Sequence, residues 1–218
     1  MSSISPHYRN DQAKGLDPTV KVYLDEHFLR HLKNVDIPHP RLLVVFAGGN
    51  GVGKSTLAAR IGEELQALVL ENDQIKECLL EFDPSLKTDR DRMNQLAWQY
   101  SMDLYNRLPE VTANGFVVRD GVIHWYYDRI LPVFEKQGYA VFIISYDLSR
   151  QKRLELIRTR GDKQTVSAER LIAIMEDHDI LMKRFHDHYQ PDIILHDDDL
   201  FDYDPVIAAL RARLGQLS

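Results

Sequence analysis

The chemistry-bearing stretch of this chain is Gly48-Gly-Asn-Gly-Val-Gly-Lys-Ser-Thr56. It fits G-x-x-x-x-G-K-[ST] at Gly48, Gly53, Lys54 and Ser55, with Gly49, Asn50, Gly51, Val52 and Thr56 completing the loop. Glycines permit backbone angles forbidden to other residues, so successive N–H groups can turn toward one anion. A helix starting at the loop adds unpaired N–H donors and the positive end of its dipole. Lys54 supplies a full positive charge for the outer phosphates, and the Ser55 hydroxyl is the expected magnesium ligand. The ligand this predicts is a nucleoside triphosphate with Mg2+. The loop alone does not separate a kinase from an ATPase, a GTPase or a motor.

The elements that must hold such a loop are legible around it. Arg41-Leu-Leu-Val-Val-Phe-Ala47 is a continuous apolar run, the pattern of a strand buried on both faces of a parallel sheet. A helix over 55–66 follows. Further strands are expected at 67–71, 115–120, 139–145 and 192–195, with helices near 73–81, 89–108, 125–137, 149–160, 167–188 and 204–214. Strand–helix alternation predicts an α/β fold: a three-layer α/β/α sandwich around a mainly parallel five-stranded sheet. Ahead of it, Asp17-Pro18 reads as a helix cap and first-turn proline. Val20, Leu24, Phe28 and Leu32 then form one apolar stripe. The expected division is an N-terminal extension over 1–40 and a main domain over 41–218.

Composition bounds the rest. The 218 residues have room for one domain with an appendage, at about 100–200 residues per domain. A hydrophobic share of 44% and a charged share of 28% are those of a globular chain. The single cysteine, Cys78, excludes an intrachain disulfide framework and is expected to be buried. The net charge of −6 is unsuited to coating nucleic acid. No apolar run approaches the roughly 18–20 residues that span a bilayer, and the first ten residues lack a signal-peptide core. The expectation is a cytoplasmic protein that does not enter a membrane; the acidity counts against nucleic acid as a partner while leaving a local basic groove open, and nothing here identifies a protein partner.

Other features narrow the class. No N-K-x-D guanine-reading sequence follows the fourth or fifth strand. The third strand ends in Arg119-Asp120-Gly121, a single acid where motor ATPases usually place Asp-Glu. A small phosphotransferase remains. The chain resembles small P-loop kinases of the zeta-toxin, chloramphenicol phosphotransferase and polynucleotide kinase group. The resemblance rests on the loop, on Leu68-Val-Leu-Glu-Asn-Asp-Gln-Ile-Lys76, on Val117-Val-Arg-Asp-Gly121 and on Arg150-Gln-Lys-Arg-Leu-Glu-Leu-Ile-Arg-Thr-Arg160. It spans roughly residues 41–200, and only the loop is highly specific.

That resemblance implies ATP as the phosphoryl donor and Asp73, just after strand two, as general base. The alternative for Asp73 is a cap on the following helix. It also implies a lid over about 149–170, from which Arg158 or Arg160 reaches the γ-phosphate. Solvation of that helix face, with Glu155 pairing locally, is the alternative for its arginines. Asp120 is either a substrate or water-mediated magnesium contact, or a turn residue before Gly121; Glu71 competes for the metal role. His124-Trp-Tyr-Tyr127 follows strand three at the ligand edge, so His124 is a candidate substrate contact, although such a cluster also packs helix to sheet. Two alternatives to small-molecule phosphorylation stay open: a polynucleotide 5′-hydroxyl kinase, and a non-catalytic ATP-binding regulatory or toxin module.

Overall fold

The computed structural model describes residues 15–32, 37–49, 51–159 and 175–217. Its helices are α1 (Pro18–Leu32), α2 (Lys54–Leu65), α3 (Asn72–Phe82), α4 (Arg90–Val111), α5 (Tyr127–Lys136), α6 (Arg150–Thr159), α7 (Met175–His186) and α8 (Asp204–Leu217). Its strands are β1 (His39–Ala47), β2 (Leu68–Glu71), β3 (Asn114–Val122), β4 (Ala140–Tyr146) and β5 (Ile193–Leu195). The residues group into two compact units. One comprises residues 1–38 and 71–113, the other 39–70 and 114–218.

The larger unit is organised by an all-parallel sheet in the order β2-β3-β1-β4-β5. Its central strand explains the unbroken apolar run, because Leu42 through Ala47 are fully buried on both faces. Leu42, Val44 and Phe46 face a core closed by Leu57, Ala58 and Ile61 of α2 and by Val206, Ile207 and Leu210 of α8. The other face carries the odd-numbered residues. There Ser145 of β4 meets His186 of α7, with Oγ and Nε2 3.1 Å apart. Helices on both faces give the expected three layers. Pro132 lies inside α5.

Two registers shape the edge that matters. Strands β1 and β4 run in step as far as Ala47 opposite Ser145. Strand β3 breaks step: Val45 pairs with Arg119, but Phe46 pairs with Val122. Asp120 and Gly121 are extruded between these pairs, a bulge of the kind that re-aims side chains at a strand end. The strand therefore does not close at Asp120, as the sequence led one to expect, but resumes to Val122 and is tied on by Ile123 N–H donating to Phe46 O at 3.0 Å.

In the smaller unit the N-terminal helix starts as its sequence dictates. Asp17 Oδ1 accepts from the N–H of Thr19 at 2.8 Å, a side-chain cap. Val20, Leu24, Phe28 and Leu32 are all buried, and α1 packs on α3. Tyr100 donates to Asp25 Oδ1 at 2.9 Å, and Lys21 pairs with Asp103 at 2.7 Å. Cys78 is only half-buried, not a core residue.

Candidate nucleotide site

The loop between β1 and α2 sits at the carboxyl edge of the central strand. Strands β3 and β2 lie to one side of it and β4 and β5 to the other. That divide is the topological switch point at which parallel α/β sheets bind ligands. The loop's glycines answer to separate constraints. Gly51 and Gly53 have φ of 87° and 92°, in the left-handed region that favours glycine. Gly48 faces a wall: a Cβ there would lie 2.9 Å from Cβ and Cδ2 of Tyr146.

Gly53 is the N-cap of α2 and offers no side-chain cap. The first intrahelical bond runs from Leu57 N–H to Gly53 O at 3.0 Å. The N–H groups of the first turn, Lys54 to Thr56, have no acceptor within the helix and carry the positive end of its dipole. Lys54 is 8% exposed. Its ammonium donates to the carbonyls of Gly48, at 3.3 Å, and Gly49. Those carbonyls hold the charge over the loop rather than letting it extend into solvent. Ser55 and Thr56 are exposed, so the Ser55 hydroxyl is open to a hydrated cation. Among the described residues no cluster of His, Cys, Asp or Glu forms a metal site of its own. A Mg2+ ion held by Ser55 and by the phosphates it accompanies fits this donor set.

The loop's surroundings hold three side chains that sequence reading passed over. Tyr146 ends β4 against Gly48. The Oη of Tyr203 would lie 2.9 Å from a Cβ on Gly53, with the ring of Phe201 next to it at 3.5 Å. Phe201 is 61% exposed. The Tyr146 and Tyr203 hydroxyls are buried and have no hydrogen-bond partner among the described residues. Burial pushes both hydroxyl pKa values up, and in Tyr146 the nearby Tyr203 and Asp120 add to it. An acid in the bulge and a tyrosine at the loop wall are thus neighbours. No loop motif encodes these tyrosines, because their positions depend on the pairing of β4 and β5.

Behind Lys54 lies a buried imidazole pair. His124, two residues past β3, and His178 of α7 are 1% and 5% exposed. His124 Nε2 and His178 Nδ1 are 2.8 Å apart, and Trp125 Nε1 donates to the same His178 Nδ1 at 3.2 Å. Burial, then the neighbouring His178 and Lys54, hold His124 down to about 2. Burial and then Lys54 hold His178 at about 4, so both rings are neutral. His124 thus stands just past the carboxyl end of β3, buried against α7. The aromatic cluster after it divides its work: Trp125 serves the histidines, while Tyr127 packs on Phe185 and Tyr189.

The remaining predicted residues fall as follows. Asp73 belongs to the smaller unit, in the first turn of α3. It is not the cap of that helix: α3 starts at Asn72, and the N-cap position is Glu71. Asn72 instead accepts from Ser101 Oγ at 3.2 Å. The Asp73 carboxylate is 89% exposed, with Lys76 Nζ at 3.3 Å. On α6, Arg158 is exposed, whereas Arg153 forms a two-pronged ion pair with Asp179 at 2.5 and 3.2 Å. Lys152 takes the local partner Glu155, at 3.2 Å. Asp197 accepts from Ser149 N–H at 2.9 Å ahead of α6. Asn50, Arg160 and the lid beyond residue 159 lie outside the described residues.

The sheet order, the loop at its switch point and the buried Lys54 define a P-loop nucleotide-binding fold of the kinase type. Residues 43–180 match the AAA domain family, and the chain belongs to it. Solved structures agree on the fold. One from the PezAT chromosomal toxin–antitoxin system of Streptococcus pneumoniae superposes with a TM-score of 0.61 and 13% identity, covering 95% of this chain and 99% of that one. A putative kinase from Chloroflexus aurantiacus gives 0.56 and 16%, covering 83% and 99%. Shikimate kinase from Bacteroides thetaiotaomicron gives 0.50 and 17%, covering 81% and 97%. A comparison with curated proteins finds no match. Among the described residues no helix is long and apolar enough to cross a membrane.

Proposed function

We propose that the protein transfers the γ-phosphoryl group of ATP to a hydroxyl of a small molecule. The observation that carries this reading is the loop itself. A buried ammonium at Lys54, two left-handed glycines and a helix N-terminus without a side-chain cap come together within residues 51–54. The loop's amides and Lys54 bind the phosphate chain and neutralise charge that builds on it during transfer. Ser55 would hold Mg2+, which when bound supplies further charge neutralisation between the outer phosphates. The exposed ring of Phe201 offers a stacking surface for the base beside the loop.

Asp73 is the proposed general base. It stands two residues beyond β2, and its exposed carboxylate, with the Lys76 ammonium 3.3 Å away, would accept the proton of an attacking hydroxyl. Asp120, thrown out of register by the bulge, is the proposed substrate contact. Arg158 and Arg160 are the proposed lid arginines that meet the γ-phosphate. The kinase relatives in fold support a phosphotransferase, and the net charge of −6 favours a small acceptor over a polynucleotide.

The test is to incubate the full chain with a metabolite extract, Mg2+ and γ-labelled ATP, and to analyse the products by mass spectrometry. A labelled small-molecule product is expected. Label transferred only to added oligonucleotide 5′ ends would replace the acceptor class, and nucleotide bound with no product would overturn phosphotransfer.

A further inference from the structure

The histidine pair behind Lys54 has more order than packing requires. An indole N–H is a donor only, so Trp125 forces His178 Nδ1 to be an acceptor. A neutral His178 must then carry its proton on Nε2. The short contact to His124 Nε2 has to be supplied with a proton from His124, since two facing lone pairs would repel. His124 is therefore the Nε2–H tautomer, and its Nδ1 carries a lone pair. That nitrogen is buried and has no hydrogen-bond partner among the described residues. A buried acceptor without a donor is unfavourable unless a ligand supplies one.

Its placement says which ligand. His124 follows β3, the strand beside β1, at the edge where the phosphate loop leaves the sheet. The Lys54 charge is near enough to bear on both imidazoles. Phosphate groups at neutral pH have no proton to donate to a lone pair, whereas a hydroxyl of a molecule bound beside them does.

We propose that His124 Nδ1 accepts a hydrogen bond from a second hydroxyl of the phosphoryl acceptor, with His178 and Trp125 as the positioning residues that fix its tautomer. This rests on the phosphotransfer reading above and sharpens it: the acceptor is a compound with at least two hydroxyls, one phosphorylated and one held by His124. The imidazole orients that hydroxyl and takes no proton from it.

Two substitutions separate the ring's two nitrogens. His124→Gln keeps a donor toward His178 but has nothing at Nδ1; His124→Asn keeps an acceptor there. With the metabolite extract and γ-labelled ATP, the expected result is that His124→Gln forms product at least about tenfold more slowly at low acceptor concentration, through KM more than kcat, while His124→Asn stays within about threefold. Nucleotide affinity, by calorimetry with Mg·ATP, is expected to be unchanged in both. Equal rates for wild type and His124→Gln would overturn this inference and leave phosphotransfer standing; no product from wild type would overturn phosphotransfer and the inference with it. Nitrogen-15 NMR of the unmodified chain gives a readout independent of the variants: His124 and His178 should both show protonated Nε2 and bare Nδ1. A proton on His124 Nδ1 would refute the assignment outright.

Discussion

Gly53→Ala probes the joint between phosphate loop and helix. At φ of 92° the residue lies in left-handed space, where a side chain costs about 1–2 kcal/mol. The new methyl would also meet Tyr203 Oη at 2.9 Å. That ring is 5% exposed and set in the core against α2 and α8, so it has little room to yield. Overpacking of this kind costs about 1–3 kcal/mol, giving about 2–5 kcal/mol in all. Tyr203→Phe removes only the oxygen. Because that hydroxyl has no partner, the single change should be neutral within about 1 kcal/mol, or stabilising. In the double variant only the backbone cost remains, so the two changes should couple favourably by about 1–3 kcal/mol. Urea unfolding with a constant slope measures all four proteins. A Gly53→Ala protein within about 0.5 kcal/mol of wild type would refute the backbone argument. A destabilised one unrelieved by Tyr203→Phe would refute the contact.

Acid should weaken the protein through its histidine pair. Both rings titrate well below the ordinary value of about 6.5 when folded, so the unfolded chain binds the extra protons. Their contribution is complete above about pH 6.5 and is lost as pH falls toward about 4 for His178 and about 2 for His124. In that window each ring adds up to about 1.4 kcal/mol per pH unit, and His178→Gln should unfold with a slope shallower by about that amount between pH 6 and 4; equal slopes would contradict the burial argument. Asp73→Asn should bind Mg·ATP within about twofold of wild type yet transfer phosphate about 10²–10⁴-fold more slowly in a labelled-ATP assay; an unchanged rate would remove Asp73 from the chemistry.

The parts of this account that the sequence carried are those written in local pattern. The run from Leu42 to Ala47 announces a central strand because burial on both faces leaves no position for a polar residue. The loop announces itself because several constraints coincide in nine residues. Asp17-Pro18 marks a helix start because capping is a contact over two or three residues. What stayed hidden depends on pairing between distant segments. The bulge at Asp120 exists only as a mismatch between β3 and β1. Tyr146 and Tyr203 reach the loop through the order of β4 and β5, and His178 comes to His124 across 54 positions. As isolated letters in a long helix, His178 and His186 gave no metal spacing and no other signal. The cap reading of Asp73 failed because α3 begins one residue earlier than its apolar pattern shows, at Asn72.

The central claim is that the loop between β1 and α2 holds a triphosphate through Lys54. Calorimetric titration of the full chain with Mg·ATP tests it, with Lys54→Ala run alongside. The account predicts saturable binding to the wild-type chain, at least about tenfold weaker in the variant, a loss of about 1.4 kcal/mol or more. No heat of binding to the folded wild-type protein, or equal affinity in the variant, would contradict it.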